Sequence, residues 1–127
     1  MFYACLSALG VGYSLSPQEA QADLSSHLGV PVPPVVAVSD PEESWAIGDY
    51  YYNYTVSFEP TSYRQLIERW EARRDTTKWS MNTNPYVTDS LHEKWTFIES
   101  GAPGGTIILD VDLFPSTNKL RFSYGQD

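Results

Sequence analysis

Apolar and polar residues alternate along this chain with two different periods, and the changes of period divide it into elements. The stretch Ser16-Pro17-Gln18-Glu19 carries helix-start chemistry: a hydroxyl that can cap, a proline at the first helical position, and a glutamate placed to close a capping box. Ala20, Leu24 and Leu28 then recur every four residues on one face, and Gly29 follows as a left-handed stop. This pattern predicts a short amphipathic helix over 17–28. The next stretch, VPVPPVVAVSDPEES, holds prolines at 31, 33, 34 and 41, which exclude a helix and any central strand. It predicts an extended arm over the surface, its valines pinned to the core.

From Tyr50 the period drops to two. Tyr50, Tyr52, Tyr54, Val56 and Phe58 alternate with Tyr51, Asn53, Thr55, Ser57 and Glu59, the pattern of a half-buried strand. Helical spacing returns with Tyr63, Leu66, Ile67 and Trp70, and Ser62 with Gln65 offers a second capping box, so a helix is expected over 62–74. The polar run DTTKWSMNTNPYVTDS, broken by Asn84-Pro85, reads as a long loop, and KWTFIES as a short strand before the turn GAPGG. The chain then closes in a hairpin. With Phe114 to Thr117 as its loop, Val111–Leu120, Leu109–Phe122 and Ile107–Tyr124 share one face, while Asp112–Lys119 and Asp110–Arg121 pair on the other.

Together these elements predict one α+β domain over 1–127, with a helix and Pro/Val-rich arm over 1–40 and a sheet-and-helix core over 45–127. The core has the order β-α-β-β-β, with an antiparallel sheet covered on one face by the 62–74 helix. At 127 residues with 42% hydrophobic residues, the chain can bury a core without metal or disulfide staples. Cys5 is the only cysteine, so no disulfide forms within the chain.

Charge changes the picture more than composition does. All eight Lys and Arg stand at or after Arg64, so residues 1–63 carry seven acids and no base out of a net charge of -8. An acidic first half disfavours nucleic acid or an anionic membrane and would attract a basic protein. No run reaches the ~18 to 20 apolar residues of a membrane span. Ala20-Gln21-Ala22 has the form of an export cleavage site, but no Lys or Arg precedes it, and Gly10, Gly12, Tyr13 and Ser14 interrupt the apolar run. The opening residues are therefore expected to be retained, and a cytoplasmic location is favoured over an exported one.

Candidate chemistry is sparse. Asp110 and Asp112 share a strand face, where two carboxylates could cooperate in acid–base work, but the expected register gives each a cation partner and a structural role. Asp-x-Asp also opens a calcium loop, yet the glycine and closing glutamate of that loop are missing. His27 suits the C-terminal dipole of its helix, and His92 stands beside Glu93 before a strand; no serine or cysteine nucleophile setting accompanies either. Arg69, Arg73, Arg74 and Lys78 are interleaved with Glu68, Glu71 and Asp75, which neutralises most of their field. No catalytic residue, metal site or cofactor is expected.

What remains is a binding surface. Asp40, Glu42, Glu43 and Asp49 put four carboxylates within ten residues with no base among them, and Trp45 lies inside the run. Trp79 and Tyr86 stand in the expected polar loop, where an aromatic can anchor a partner. These seven residues point to a small acidic protein-binding module, of the kind that inhibits a basic toxin or nuclease. The alternative is a ligand-binding or sensory domain with a Tyr/Trp-rich site for a sugar or small molecule.

Overall fold

The capping box at Ser16 forms as its chemistry requires. Ser16 Oγ accepts the Glu19 amide at 3.1 Å, Glu19 Oε1 accepts the Ser16 amide at 3.0 Å, and Gly29 ends the helix at φ 72°. Helix α1, Pro17–Leu28, buries Ala20, Leu24 and Leu28, the three positions its spacing selects. These observations come from a computed structural model that describes residues 14–46, 49–82, 92–102 and 105–126, and, within strands, no side chain of residues 45, 46, 101 or 102. Retention of the opening residues and the placement of Tyr86 lie outside the described residues.

The arm is extended to Val36 and then continues as β1, Ala37–Ala46, which lies at the edge of the sheet and not at its centre. Its proline is accommodated because β1 is an edge strand: the pairing slips between Ser39 and Glu42, and Pro41 sits in that irregularity beside Asp40 at φ 51°. Strand β2, Asp49–Ser57, buries Tyr50, Tyr52, Tyr54 and Val56 in the predicted alternation. Helix α2 spans Pro60–Arg73 rather than 62–74. Pro60 presets the first helical φ, so the helix starts two residues early with Glu59 as an N-cap that makes no side-chain bond, and Ser62 falls inside it.

The 75–90 segment is not wholly loop. A turn in which Asp75 accepts the Thr77 amide and hydroxyl leads into β3, Trp79–Asn82, which pairs with β4, Glu93–Ala102. Strand β5, Gly105–Phe114, a 3₁₀ turn at Pro115–Thr117 and β6, Lys119–Gln126, follow. The sheet is antiparallel throughout, in the order β1-β2-β6-β5-β4-β3. Helix α2 carries the chain across the sheet from β2 to the far edge, and β6 returns to insert between β5 and β2.

The closing hairpin is offset by two residues from the expected register. Asn118 joins the loop in the left-handed conformation, φ 54°, so Val111 faces Phe122, Leu109 faces Tyr124, Asp112 faces Arg121 and Asp110 faces Ser123. A shift of two preserves which face each residue occupies, so the apolar pattern is satisfied by either register.

Both helices pack on the same face. His27 of α1 stacks on Phe122 at 5.2 Å, and Trp70 of α2 meets Trp95 edge-on at 5.9 Å; Phe122, Val111 and Trp95 lie in one row across β6, β5 and β4. The core is therefore a single layer between helices and sheet, filled by Tyr52, Tyr54, Leu66, Trp70, Leu120 and Phe122 among others. Trp79 belongs to it as well. It is 7% exposed and packs on Trp70 and Phe97, so the expectation of an exposed loop aromatic at this position is corrected.

Candidate partner-binding face

On the helix-covered face the polar groups are matched internally. Tyr54 donates to Asp23 Oδ2 at 2.7 Å and Tyr52 to the same carboxylate at 3.0 Å, while His27, one turn along α1, lies 3.3 Å from Asp23 Oδ1 and 3.1 Å from the Tyr52 hydroxyl. Tyr50 donates to Glu43 at 3.1 Å. Burial, and then this bond to Glu43, hold the Tyr50 hydroxyl well above its ordinary pKa; burial and the Asp23 charge do the same to Tyr124. Asp23 was not legible as a site residue, since its partners lie 29 and 31 positions away. The available signal was the four-residue spacing of Asp23 and His27 beside the buried Leu24 and Leu28 positions.

At the other end of the same face, cations rather than anions meet the rings. The Arg74 guanidinium lies 3.6 Å from the Trp95 ring centroid and 4.7 Å from that of Trp70, and Lys78 approaches Phe97 at 5.9 Å. The basic run thus lends part of its charge to the fold, with Arg69 donating to the Pro31 carbonyl at 3.1 Å.

The opposite face carries neither helix. Its central rows are polar ladders: Asn82 donates to Thr96, and Thr96 to Asp110 Oδ1 at 2.7 Å; Arg121 donates to Asn53 at 2.7 Å and Thr55 at 3.3 Å. The expected Asp110–Arg121 and Asp112–Lys119 pairs are not made. Asp112 instead meets His92 Nε2 at 2.8 Å, with the His92 ring against Phe114. The next row is apolar. Ile98, Ile108, Gly125 and Tyr51 stand side by side across β4, β5, β6 and β2, and the three large side chains are exposed, Tyr51 by 49%.

Charge is segregated along this face. The basic residues of the described strands, Lys94, Lys119 and Arg121, occupy the two rows nearer the Phe114–Lys119 end. Beyond the Thr96–Asp110–Ser123–Asn53 row the described strands carry no base; on the open face Asp49 stands there, while Glu43 and Glu99 alternate to the covered side. The expected acidic surface is therefore brought only partly together. Glu42 and Asp49 are exposed on the open face and Asp40 is exposed at the irregularity of β1, whereas Glu43 turns to the covered face and bonds Tyr50. Trp45 pairs with Tyr50 through the β1 backbone, and its side chain is not described. Missed by the sequence reading were Tyr51, Ile98 and Ile108, which only cross-strand pairing assembles; Asp110, read there as the partner of Arg121, instead faces Ser123 beside them.

No group of three or more His, Cys, Asp or Glu that could hold a metal occurs among the described residues, and no described helix is long and apolar enough to cross a membrane. Comparison with protein-family models, curated proteins and solved structures finds no match for this chain.

Proposed function

We propose that this chain is a small acidic protein-binding module that takes a basic partner on the open sheet face, at the end where the strands carry no Lys or Arg. The observation that carries the reading is the exposed Tyr51–Ile108–Ile98 row standing at that end. An apolar row gives a partner area to desolvate, and Glu42, Asp49 and Asp110 around it steer cationic surfaces towards it. The strand edge itself offers less: β1 is interrupted by Pro41 and flanked by carboxylates, devices that discourage strand addition. Inhibition of a basic toxin or nuclease fits the same charge logic, since occlusion by an acidic surface opposes such an enzyme's own polyanionic substrate.

Capture from the host lysate at low and at physiological salt tests the reading. The expected result is a basic protein retained by the wild type and lost with Glu42→Lys/Asp49→Lys, with association slowed most steeply at low salt. Recovery of no basic protein at either salt, together with a neutral sugar that raises the melting temperature, would favour the ligand-binding alternative.

A further inference from the structure

Gly125 leaves a gap in the open face. It sits between Ile108 of β5 and Tyr51 of β2, and with no side chain of its own it opens a pocket of about 270 Å³ walled by those residues and floored towards Asn53, Asp110 and Ser123. Asp110 is the only carboxylate among its described lining residues. One Asp110 oxygen accepts the Thr96 hydroxyl; the other makes no hydrogen bond within the described residues, and neither does the Ser123 or the Tyr51 hydroxyl. Arg121, the strand cation in the adjoining row, donates to Asn53 and Thr55 instead. The pocket thus joins an aromatic ring, a carboxylate oxygen and a hydroxyl, in a volume suited to one long side chain.

We infer that the pocket over Gly125 receives a guanidinium or ammonium side chain of the basic partner, with arginine preferred. This rests on the partner-binding reading and names its anchor. A planar guanidinium can lie along the Tyr51 ring while it donates to the Asp110 carboxylate and to Ser123 Oγ, whereas a lysine ammonium satisfies the charge without the stacking. A neutral sugar could use the ring and the hydroxyl, but it would leave the uncompensated carboxylate unmatched.

The test is an amide NMR titration of the labelled chain with N-acetyl-arginine methylamide, using the isosteric but uncharged N-acetyl-citrulline methylamide and methyl glucoside as companion probes. The expected result is a millimolar interaction with the arginine probe whose shifts centre on Tyr51, Asp110, Ser123 and Gly125. It should weaken several-fold between about 20 and about 300 mM salt, and by about tenfold with Gly125→Val or Asp110→Asn. A Cβ at position 125 makes only ordinary contacts, with the Ile108 carbonyl oxygen at 3.8 Å and Tyr51 Cβ at 3.9 Å, and valine suits a strand. Asp110→Asn retains an acceptor for Thr96 and covers the case in which the valine disturbs β6. Equal binding of the citrulline probe, glucoside binding that survives Asp110→Asn, or no shift at these residues overturns the assignment. Capture of a basic protein equally by wild type and Gly125→Val overturns the pocket but not the partner reading. Arginine-probe binding with no basic partner recovered overturns the partner reading and leaves the pocket.

Discussion

On the covered face the hydroxyls of Tyr52 and Tyr54 both end on the Asp23 carboxylate, while on the open face Tyr51, the next residue along β2, stands half exposed beside a glycine. The same side chain serves opposite ends because strand alternation sends neighbours to opposite solvents. Inside, a phenol must find an acceptor to be buried, and α1 supplies one. Outside, the ring costs little to expose and keeps its stacking surface and hydroxyl for another molecule. The covered face is thus built for stability and the open face is left with unspent interactions.

Substitutions on the covered face should break that contrast most visibly. Trp70→Ala removes a 1%-exposed ring that touches Trp79, Trp95 and Arg74, and should destabilise by about 3–5 kcal/mol in denaturant melts. Asp23→Ala takes the charged acceptor from two buried hydroxyls and should cost ~1.5–3 kcal/mol; Asp23→Asn, which keeps an oxygen, should cost less. A cost for Asp23→Ala as small as a typical surface change would show that the tyrosines find other acceptors without strain.

The alkaline limb of stability sharpens the comparison further. Tyr50 is held protonated in the fold, its pKa raised by burial and by Glu43. A raised folded-state value means the contribution is complete below the unfolded value of about 10 and is lost as pH climbs above it. Stability should therefore fall above about pH 10, and Tyr50→Phe should flatten part of that fall while Tyr124 keeps its own share. An identical alkaline limb in Tyr50→Phe would contradict this. Smallest of all should be Tyr51→Ala and Asp110→Asn, each within ~0.5 kcal/mol of wild type in the same melts.

Elements specified by local chemistry were legible in the sequence. Helix α1 carries both halves of its capping box, its apolar stripe and its glycine stop within fifteen residues, and it forms where they indicate. The β2 tyrosines alternate strongly enough to fix which face is buried. Features decided by pairing were not. The β5–β6 register differs by two residues because a period of two cannot distinguish such offsets, and only the left-handed Asn118 settles the loop. Strand β1 was hidden by Pro41, which an edge tolerates, and β3 by its four-residue length. The base-free first half was visible as a charge run, but β1 divides it, sending Glu42 and Glu43 to opposite faces. Tyr51, Ile98 and Ile108 are scattered over residues 51–108 and become a surface only when β6 and β5 come between β2 and β4.

The measurement that bears most directly on the binding role of the open face is hydrogen–deuterium exchange of the chain alone and with its captured basic partner. Slowed exchange is expected in residues 49–53, 98–102, 105–110 and 123–126, with α1 and α2 unchanged. Slowed exchange confined to the helices, with those strand segments exchanging as in the free chain, would place the partner on the other side of the sheet and contradict the account.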